Sequence, residues 1–192
     1  MVSTCQNIAI TGSFASGKSF VLNCAKNLGY KVFSCDDFIR NAYEDINLQN
    51  IVVNEIKGLE VFDKKKLSKI IYDNPESRKK LESIIHPIVR SGIKEFEKEN
   101  NNQKFVFTEV PLLFESNFYK YFSYSICIYC SEKTRLKRAK ERVMYSMDLY
   151  EKIKSVQLDQ EEKKRRSDFV INSDNSQKEI EKSLDNIIKK IV

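Results

Sequence analysis

The chain has 192 residues, of which 41% are hydrophobic and 31% are charged, and these values are typical of an ordinary globular protein. They exclude a disordered chain, and no apolar run approaches the roughly 18 to 20 residues of a membrane-spanning helix, so we expect no membrane partner. The net charge is +6, and the basic residues are interleaved with acidic ones along the chain. This distribution favours a phosphate-rich substrate over nucleic acid.

Short β-branched or aromatic runs alternate with helical patterns along the chain, which is typical of an α/β protein with a parallel sheet. The predicted strands cover residues 7–11, 31–34, 104–110, 125–129 and 169–172, and the predicted helices cover residues 18–28, 131–142, 150–166 and 176–191. Gly29 is expected to end the first helix. Residues 36–102 contain no convincing strand and indicate a helical insert, and an insert of this length usually binds a substrate.

Residues 12–19 read Gly-Ser-Phe-Ala-Ser-Gly-Lys-Ser and match the P-loop pattern G-x-x-x-x-G-K-[ST] at each fixed position. They follow an apolar strand pattern and open an amphipathic helix, as a phosphate-binding loop should. Gly12 and Gly17 have no Cβ, so the backbone can curl around a polyphosphate with its N–H groups inward. Lys18 is expected to reach the β- and γ-phosphates of ATP, and the Ser19 hydroxyl to ligate Mg²⁺.

A kinase also needs a group that orients the acceptor, and two carboxylates follow the second predicted strand directly. Asp36 or Asp37 could accept a proton from a substrate hydroxyl. The alternative is that one of them caps the next helix, a role that Asp also fills well. Position alone leaves both roles open.

At this point the sequence resembles the dephospho-coenzyme A kinases, which transfer the γ-phosphate of ATP to the ribose 3′-hydroxyl of dephospho-coenzyme A. Residues 32–40 resemble the family's hydrophobic-Asp-x-Asp-x-Ile-x-Arg segment, in which Asp36 takes the place of the catalytic base and Ser34 replaces the first Asp. Further segments resemble the family in the same order along nearly the whole chain: residues 63–67, 85–88, 110–115 and 134–142, then Gln157 with Lys163, and residues 167–172.

The resemblance implies the residues of the site. The catalytic groups are Asp36, Lys18 and Arg142. The residues that bind the nucleotide are Gly12, Ala15, Ser16, Gly17, Lys18, Ser19, Phe20, Arg138 and Asn172, and Ser19 is also the metal ligand. The residues that bind the substrate are Asp36, Arg40, His86, Pro111 and Leu112. The alternatives are a solvated basic helix face for Arg138 and Arg142, and a structural role for His86.

The resemblance also implies a P-loop nucleotide kinase fold, with a five-stranded parallel sheet flanked by helices, a helical substrate-binding insert and a lid. Its nucleotide-binding core would comprise residues 1–35, 103–135 and 167–192, its insert residues 36–102, and its lid residues 136–166. The implied cofactors are ATP and Mg²⁺, and the implied partner is the small molecule dephospho-coenzyme A. We expect no nucleic-acid partner, and a monomer or a weak homo-oligomer.

Three other functions are considered. Another P-loop kinase, acting on a nucleoside monophosphate or a small alcohol, shares the loop. A regulatory GTPase also shares it, but no Asn-Lys-x-Asp sequence follows the fourth predicted strand. A basic nucleic-acid-binding module would bind with steep salt dependence, and the interleaved charges argue against it.

The five cysteines form an odd set without the spacing of a disulfide framework, which favours a reducing compartment. The N-terminus lacks a basic stretch before an apolar region, so we expect a cytoplasmic protein. Cys127 and Cys130 form a C-x₂-C pair, but no second pair exists and the one histidine is distant in sequence. This favours two small apolar residues over a zinc or redox site.

Overall fold

The structure is a computed structural model that describes residues 5–142 and 145–191. The chain forms two units, of which the first contains the described residues up to Ser34 and from Phe96 onward, and the second is Cys35–Glu95. The predicted core and lid also include residues 1–4, 143–144 and 192, which lie outside the described residues. The assignment of an insert and a lid to particular substrates stays a prediction.

The first unit is built on a five-stranded parallel sheet with the strand order β2-β3-β1-β4-β5. The strands are β1 (Gln6–Thr11), β2 (Lys31–Ser34), β3 (Phe105–Glu109), β4 (Tyr124–Tyr129) and β5 (Phe169–Asn172). The central strands are apolar and almost fully buried, as expected for a parallel sheet covered on both faces. The predicted α/β fold with five parallel strands is confirmed.

Nine α-helices lie within the described residues: α1 (Lys18–Asn27), α2 (Cys35–Ala42), α3 (Ile46–Glu55), α4 (Lys64–Asp73), α5 (Pro75–Glu99), α6 (Glu132–Lys140), α7 (Met147–Val156), α8 (Gln160–Arg166) and α9 (Gln177–Ile191). Gly29 adopts a φ of +92° just after α1, and its N–H donates to the carbonyl of Lys26 at 3.0 Å, so it ends this helix as predicted. Across these described residues, no helix has the length and apolar character to cross a bilayer.

Each unit has its own apolar core. In the first unit, Ile10, Phe107 and Ile126 from three adjacent strands pack with α1 and α9 and have no solvent exposure. In the second unit, the core contains Leu48 and Val52 of α3, together with residues of α4 and α5. Since burying one such side chain contributes about 1.5–3 kcal/mol, these clusters account for much of the stability of each unit.

One predicted helix, over residues 150–166, is two helices in the structure, so the prediction of a continuous helix was wrong. The backbone of Gln157 is extended, and Asp159 begins α8 by accepting a hydrogen bond from the N–H of Glu161 at 2.8 Å. An Asp side chain competes for backbone donors in this way and favours a helix start. The break also releases the N–H of Leu158, which donates to Oε1 of Glu115 at 2.8 Å.

A buried ion pair joins α8 to the loop that follows β3. The Lys163 side chain has no solvent exposure, and its Nζ lies 2.9 Å from Oε1 of Glu115 and donates to the carbonyl of Pro111 at 2.8 Å. The second carboxylate oxygen of Glu115 is buried without a hydrogen-bond partner among the described residues. Removing the cation would therefore leave a largely buried carboxylate without its counter-charge.

We predict that Lys163→Met, which keeps most of the aliphatic stem, lowers the free energy of unfolding by about 3–5 kcal/mol because Glu115 loses its counter-charge. Urea denaturation measures this change. The control is Lys189→Met, which breaks an exposed pair with Asp185 at 2.6 Å and should cost about 0–1 kcal/mol. Equal losses in the two variants would contradict the importance of the buried pair.

Candidate active site

The loop between β1 and α1 lies at the carboxyl edge of the sheet. Strand β1 is central and pairs with β3 on one side and β4 on the other. The chain connections lead away in opposite directions at this point, which is where open α/β sheets bind their ligands. The predicted phosphate-binding loop, residues 12–19, therefore lies at the position that the fold favours for a site.

The backbone of this loop follows a path that few residues could adopt. Gly12 has a φ of +148°, and a Cβ there would lie 2.2 Å from the carbonyl oxygen of Ile128 in the next strand. Ala15 has a φ of +60°, which is uncommon for a residue with a side chain and was not foreseen from the sequence. A side chain at position 12 would clash with the neighbouring strand, so glycine is required there. Ala15 carries local backbone strain.

The loop residues fit a polyphosphate. The side-chain oxygens of Ser13 and Ser16 are buried without hydrogen-bond partners among the described residues. The first N–H groups of α1 have no partner within the helix, and its positive dipole end faces the loop. Lys18 is buried, with its Nζ 3.1 Å from the carbonyl of Ser13. Hydroxyl, amide and ammonium donors are therefore gathered on one short stretch of backbone.

Glu109, at the end of β3, is a residue that the sequence analysis missed. Its Oε1 accepts a hydrogen bond from the Ser19 hydroxyl at 3.2 Å, and the residue is only 3% exposed. A hydroxyl and a carboxylate are the oxygen ligands that Mg²⁺ prefers at P-loop sites. The feature of the sequence that could have identified Glu109 is an acidic residue at the end of a buried apolar strand.

Arg138 of α6 is tied to the phosphate loop. Its guanidinium donates to the hydroxyl and the carbonyl of Ser173 at 2.8 Å each, and to the carbonyl of Ser16 at 3.3 Å. The Ser173 hydroxyl in turn donates to the same Ser16 carbonyl at 2.6 Å. These contacts argue against the alternative that Arg138 is part of a solvated helix face. Ser173 is a second residue that could not be identified from the sequence.

Three further residues predicted for the site are Arg142, which was predicted to be catalytic, and Asn172 and Phe20, which were predicted to bind the nucleotide. The guanidinium carbon of Arg142 lies 4.6 Å from the ring centre of Phe14 in the loop. Asn172 ends β5, and its side-chain oxygen accepts the N–H of Asp174 at 3.0 Å. Phe20 lies in the first turn of α1 with its side chain 41% exposed.

A cavity of about 150 Å³ also borders the loop at Ser13 and Phe14.

The predicted substrate residues Pro111 and Leu112 lie in the loop after β3 and are half-buried. The Pro111 carbonyl accepts from Lys163, and the Thr11 hydroxyl lies 3.5 Å from the same oxygen. This loop is therefore held to the end of β1, just before the phosphate loop begins.

The other predicted substrate residues belong to the second unit. Helix α2 begins at Cys35, so the exposed Asp36 lies in its first turn rather than at the cap position. Arg40 forms an ion pair with Asp37 one turn earlier in the same helix.

His86 and Tyr72 show how burial affects ionisable groups in the second unit. Burial lowers the pKa of His86, and the charge of Arg90 lowers it further, although Glu82 opposes the change. Burial raises the pKa of Tyr72, and the negative charge of Asp36 adds to the effect. His86 is therefore held neutral near pH 7.

The two cysteines of the C-x₂-C pair are buried at the end of β4. Burial raises the pKa of Cys127 to about 11 and raises the pKa of Cys130 as well. A thiol of this kind stays protonated at neutral pH, and a protonated thiol is a poor nucleophile and metal ligand. The interpretation as small apolar residues is thus favoured.

The family model and the known proteins that this chain resembles all point to the same family. The family model for dephospho-CoA kinase matches residues 6–179. The chain is 42% identical over 184 residues to the dephospho-CoA kinase of Rickettsia typhi, covering 96% of both chains. It is 32% identical over 190 residues to that of Fusobacterium nucleatum, covering 96% of this chain and 97% of the relative.

Solved structures agree with these matches. A dephospho-CoA kinase from Campylobacter jejuni superposes with a TM-score of 0.65 at 30% identity, covering 97% of both chains. A Thermus thermophilus protein superposes with a TM-score of 0.82 at 26% identity, covering 97% of this chain and 98% of its own. Shikimate kinase from Acinetobacter baumannii, at 14% identity and a TM-score of 0.61, covering 98% of this chain and 96% of its own, shares the fold. The chain belongs to the dephospho-CoA kinase family and is an ATP-dependent phosphotransferase.

Proposed function

We propose that the protein transfers the γ-phosphate of ATP to the ribose 3′-hydroxyl of dephospho-coenzyme A, giving coenzyme A and ADP. The observation that carries this proposal is the curled phosphate loop of residues 12–19 in a chain that matches the family over residues 6–179. We also propose that the protein acts in the cytoplasm as a monomer or a weak homo-oligomer.

The phosphate loop binds the triphosphate mainly through backbone N–H groups. Gly12, Ala15, Ser16 and Gly17 let the loop approach the phosphates closely, and α1 adds its positive dipole end. Lys18 offsets the charge of the β- and γ-phosphates. Arg138 and Arg142 add guanidinium donors, which remain charged and can bind two phosphate oxygens at once.

Ser19 and Glu109 are the residues of the first unit that would hold Mg²⁺. The Ser19 hydroxyl would be a direct ligand, and the Glu109 carboxylate, which accepts from that hydroxyl at 3.2 Å, would orient it. When bound, the ion neutralises charge on the β- and γ-phosphate oxygens.

Asp36 acts on the acceptor. Its carboxylate accepts the proton of the 3′-hydroxyl as the oxygen attacks the γ-phosphorus, which is the usual contribution of a general base. Arg40, His86, Pro111 and Leu112 bind the rest of the coenzyme. Because burial keeps His86 neutral, it contributes a hydrogen bond rather than a charge. Catalysis then depends mostly on positioning and on charge neutralisation.

The lid, residues 136–166, closes during the reaction and excludes water, because water would otherwise compete with the alcohol as acceptor. This step explains why the two arginines belong to the lid region rather than to the sheet. Arg138 and Arg142 already contact the loop at Ser16 and Phe14, so they would stay beside it as the lid closes.

Incubation of the protein with Mg·ATP and dephospho-coenzyme A should yield coenzyme A and ADP in equal amounts, measured by liquid chromatography. Nucleoside monophosphates and small alcohols serve as competing acceptors in the same assay. Transfer to one of these in preference to dephospho-coenzyme A would contradict the proposed substrate.

Asp36→Asn should lower kcat by about 10²- to 10⁴-fold, because the amide cannot accept the hydroxyl proton, while the Kd for ATP stays within about twofold. The matched control is Asp37→Asn, which changes the adjacent carboxylate, about 100° away around the helix, and should lower kcat by less than about threefold. Full activity in the Asp36 variant would exclude its role as the base.

Ser19→Ala should remove most of the gain in ATP affinity that Mg²⁺ provides, whereas Ser19→Thr keeps the hydroxyl and should retain it. Glu109→Gln should reduce the gain by about tenfold, as expected for a residue that orients a metal ligand. Calorimetry measures the Kd for ATP with Mg²⁺ and with EDTA. An unchanged ratio of the two Kd values in Ser19→Ala would contradict the metal assignment.

A further inference from the structure

Phe14 occupies one of the x positions of the G-x-x-x-x-G-K-[ST] motif, and residues that follow β4 in the chain contact it from several sides. The guanidinium carbon of Arg142, just beyond α6, lies 4.6 Å from the centre of its ring. The ring of Tyr150 in α7 meets it edge to face, with ring centres 6.3 Å apart. The side-chain oxygen of Gln157 accepts the Phe14 N–H at 2.9 Å.

The contacts to Gln157 and Tyr150 fix Phe14 independently of a nucleotide. The Phe14 N–H is already bonded, so it is not one of the amides that point to an anion. The ring packs with a small apolar cluster, separate from the main core, that contains Ala15, Ala139 and Tyr150. The ring therefore has a defined position on the side of the loop that faces α6 and α7.

Arg142 has a charge available for a ligand. Its side chain is exposed, and within residues 5–142 and 145–191 no carboxylate forms an ion pair with it. Nearby Arg135, by comparison, is paired with Glu132. A guanidinium that stacks on an aromatic face keeps its N–H donors directed outward in its own plane, where they can reach phosphate oxygens.

We propose that Phe14 is a positioning residue for phosphoryl transfer, whose ring holds Arg142 beside the phosphate loop with its N–H edge directed to the γ-phosphate. This inference rests on the proposed function, because it takes Arg142 as a group that acts on the transferred phosphate. Gln157 supports it by fixing the backbone of Phe14.

The test is a double-mutant cycle on kcat with the full chain. Phe14→Leu keeps an apolar side chain but removes the aromatic face, and should lower kcat by about 2- to 30-fold, the range expected for a cation–π contact. Phe14→Tyr restores the face and should recover most of this loss. In an Arg142→Ala background, Phe14→Leu should have little further effect, because the cation that it positions is gone.

A control variant separates this effect from general damage. Lys104→Ala breaks another cation–π contact, in which Nζ lies 5.5 Å from the ring centre of Phe105 at the opposite edge of the sheet, and should leave kcat unchanged. The KM for dephospho-coenzyme A and the melting temperature of Phe14→Leu should stay near the original values. Equal effects of Phe14→Leu in both backgrounds, or no recovery in Phe14→Tyr, would overturn the proposal.

A binding measurement keeps the inference apart from the choice of acceptor. The ratio of the Kd for ADP to the Kd for a non-hydrolysable ATP analogue reports contacts with the γ-phosphate and needs no acceptor. Phe14→Leu should reduce this ratio when Arg142 is present and not when it is Ala. Inactivity on dephospho-coenzyme A with this pattern intact would defeat the proposed function alone, and active enzyme without the pattern would defeat the inference alone.

Discussion

The structure depends on the close approach of two backbones at Gly12, where a Cβ would lie 2.2 Å from the carbonyl oxygen of Ile128. This contact fixes the start of the phosphate loop against β4, the neighbour of β1. The rest of the loop then curves with Ala15 at a positive φ and leaves the hydroxyls of Ser13 and Ser16 buried and unpaired among the described residues. Such groups are costly to bury without a partner, so the loop is preorganised for an anion that supplies one.

The residues from Gln157 to Lys163, which include the first turn of α8, connect this loop to the loop after β3. Gln157 accepts from the N–H of Phe14, Leu158 donates to Glu115, and Lys163 binds the carbonyl of Pro111. A short stretch of chain therefore contacts both the phosphate loop, at Phe14, and Pro111, one of the residues proposed for the acceptor. When catalysis depends mostly on positioning, small displacements of the reacting groups lower the rate strongly. A segment that contacts both loops limits such displacements.

The two arginines of the proposed lid are held in different ways. Arg138 donates three hydrogen bonds to Ser16 and Ser173, so its guanidinium is fixed as part of the loop wall. Arg142 lies against the ring of Phe14, and a stacking contact constrains direction less strictly than hydrogen bonds do. Arg138 therefore forms part of the wall of the loop, whereas the position of Arg142 depends on the ring of Phe14.

The sequence by itself determined the five parallel strands, the position of the phosphate loop and the family, because each depends on local patterns of apolar residues or on a fixed motif. Only the tertiary structure revealed that Glu109 lies beside Ser19, that Ser173 and Arg138 close on Ser16, and that the helix breaks at Gln157 to reach Phe14. These contacts join residues 90, 157, 122 and 143 positions apart. Pairings over such distances leave no periodic trace in a sequence, since they are set by how the strands and helices pack rather than by the residues next to them.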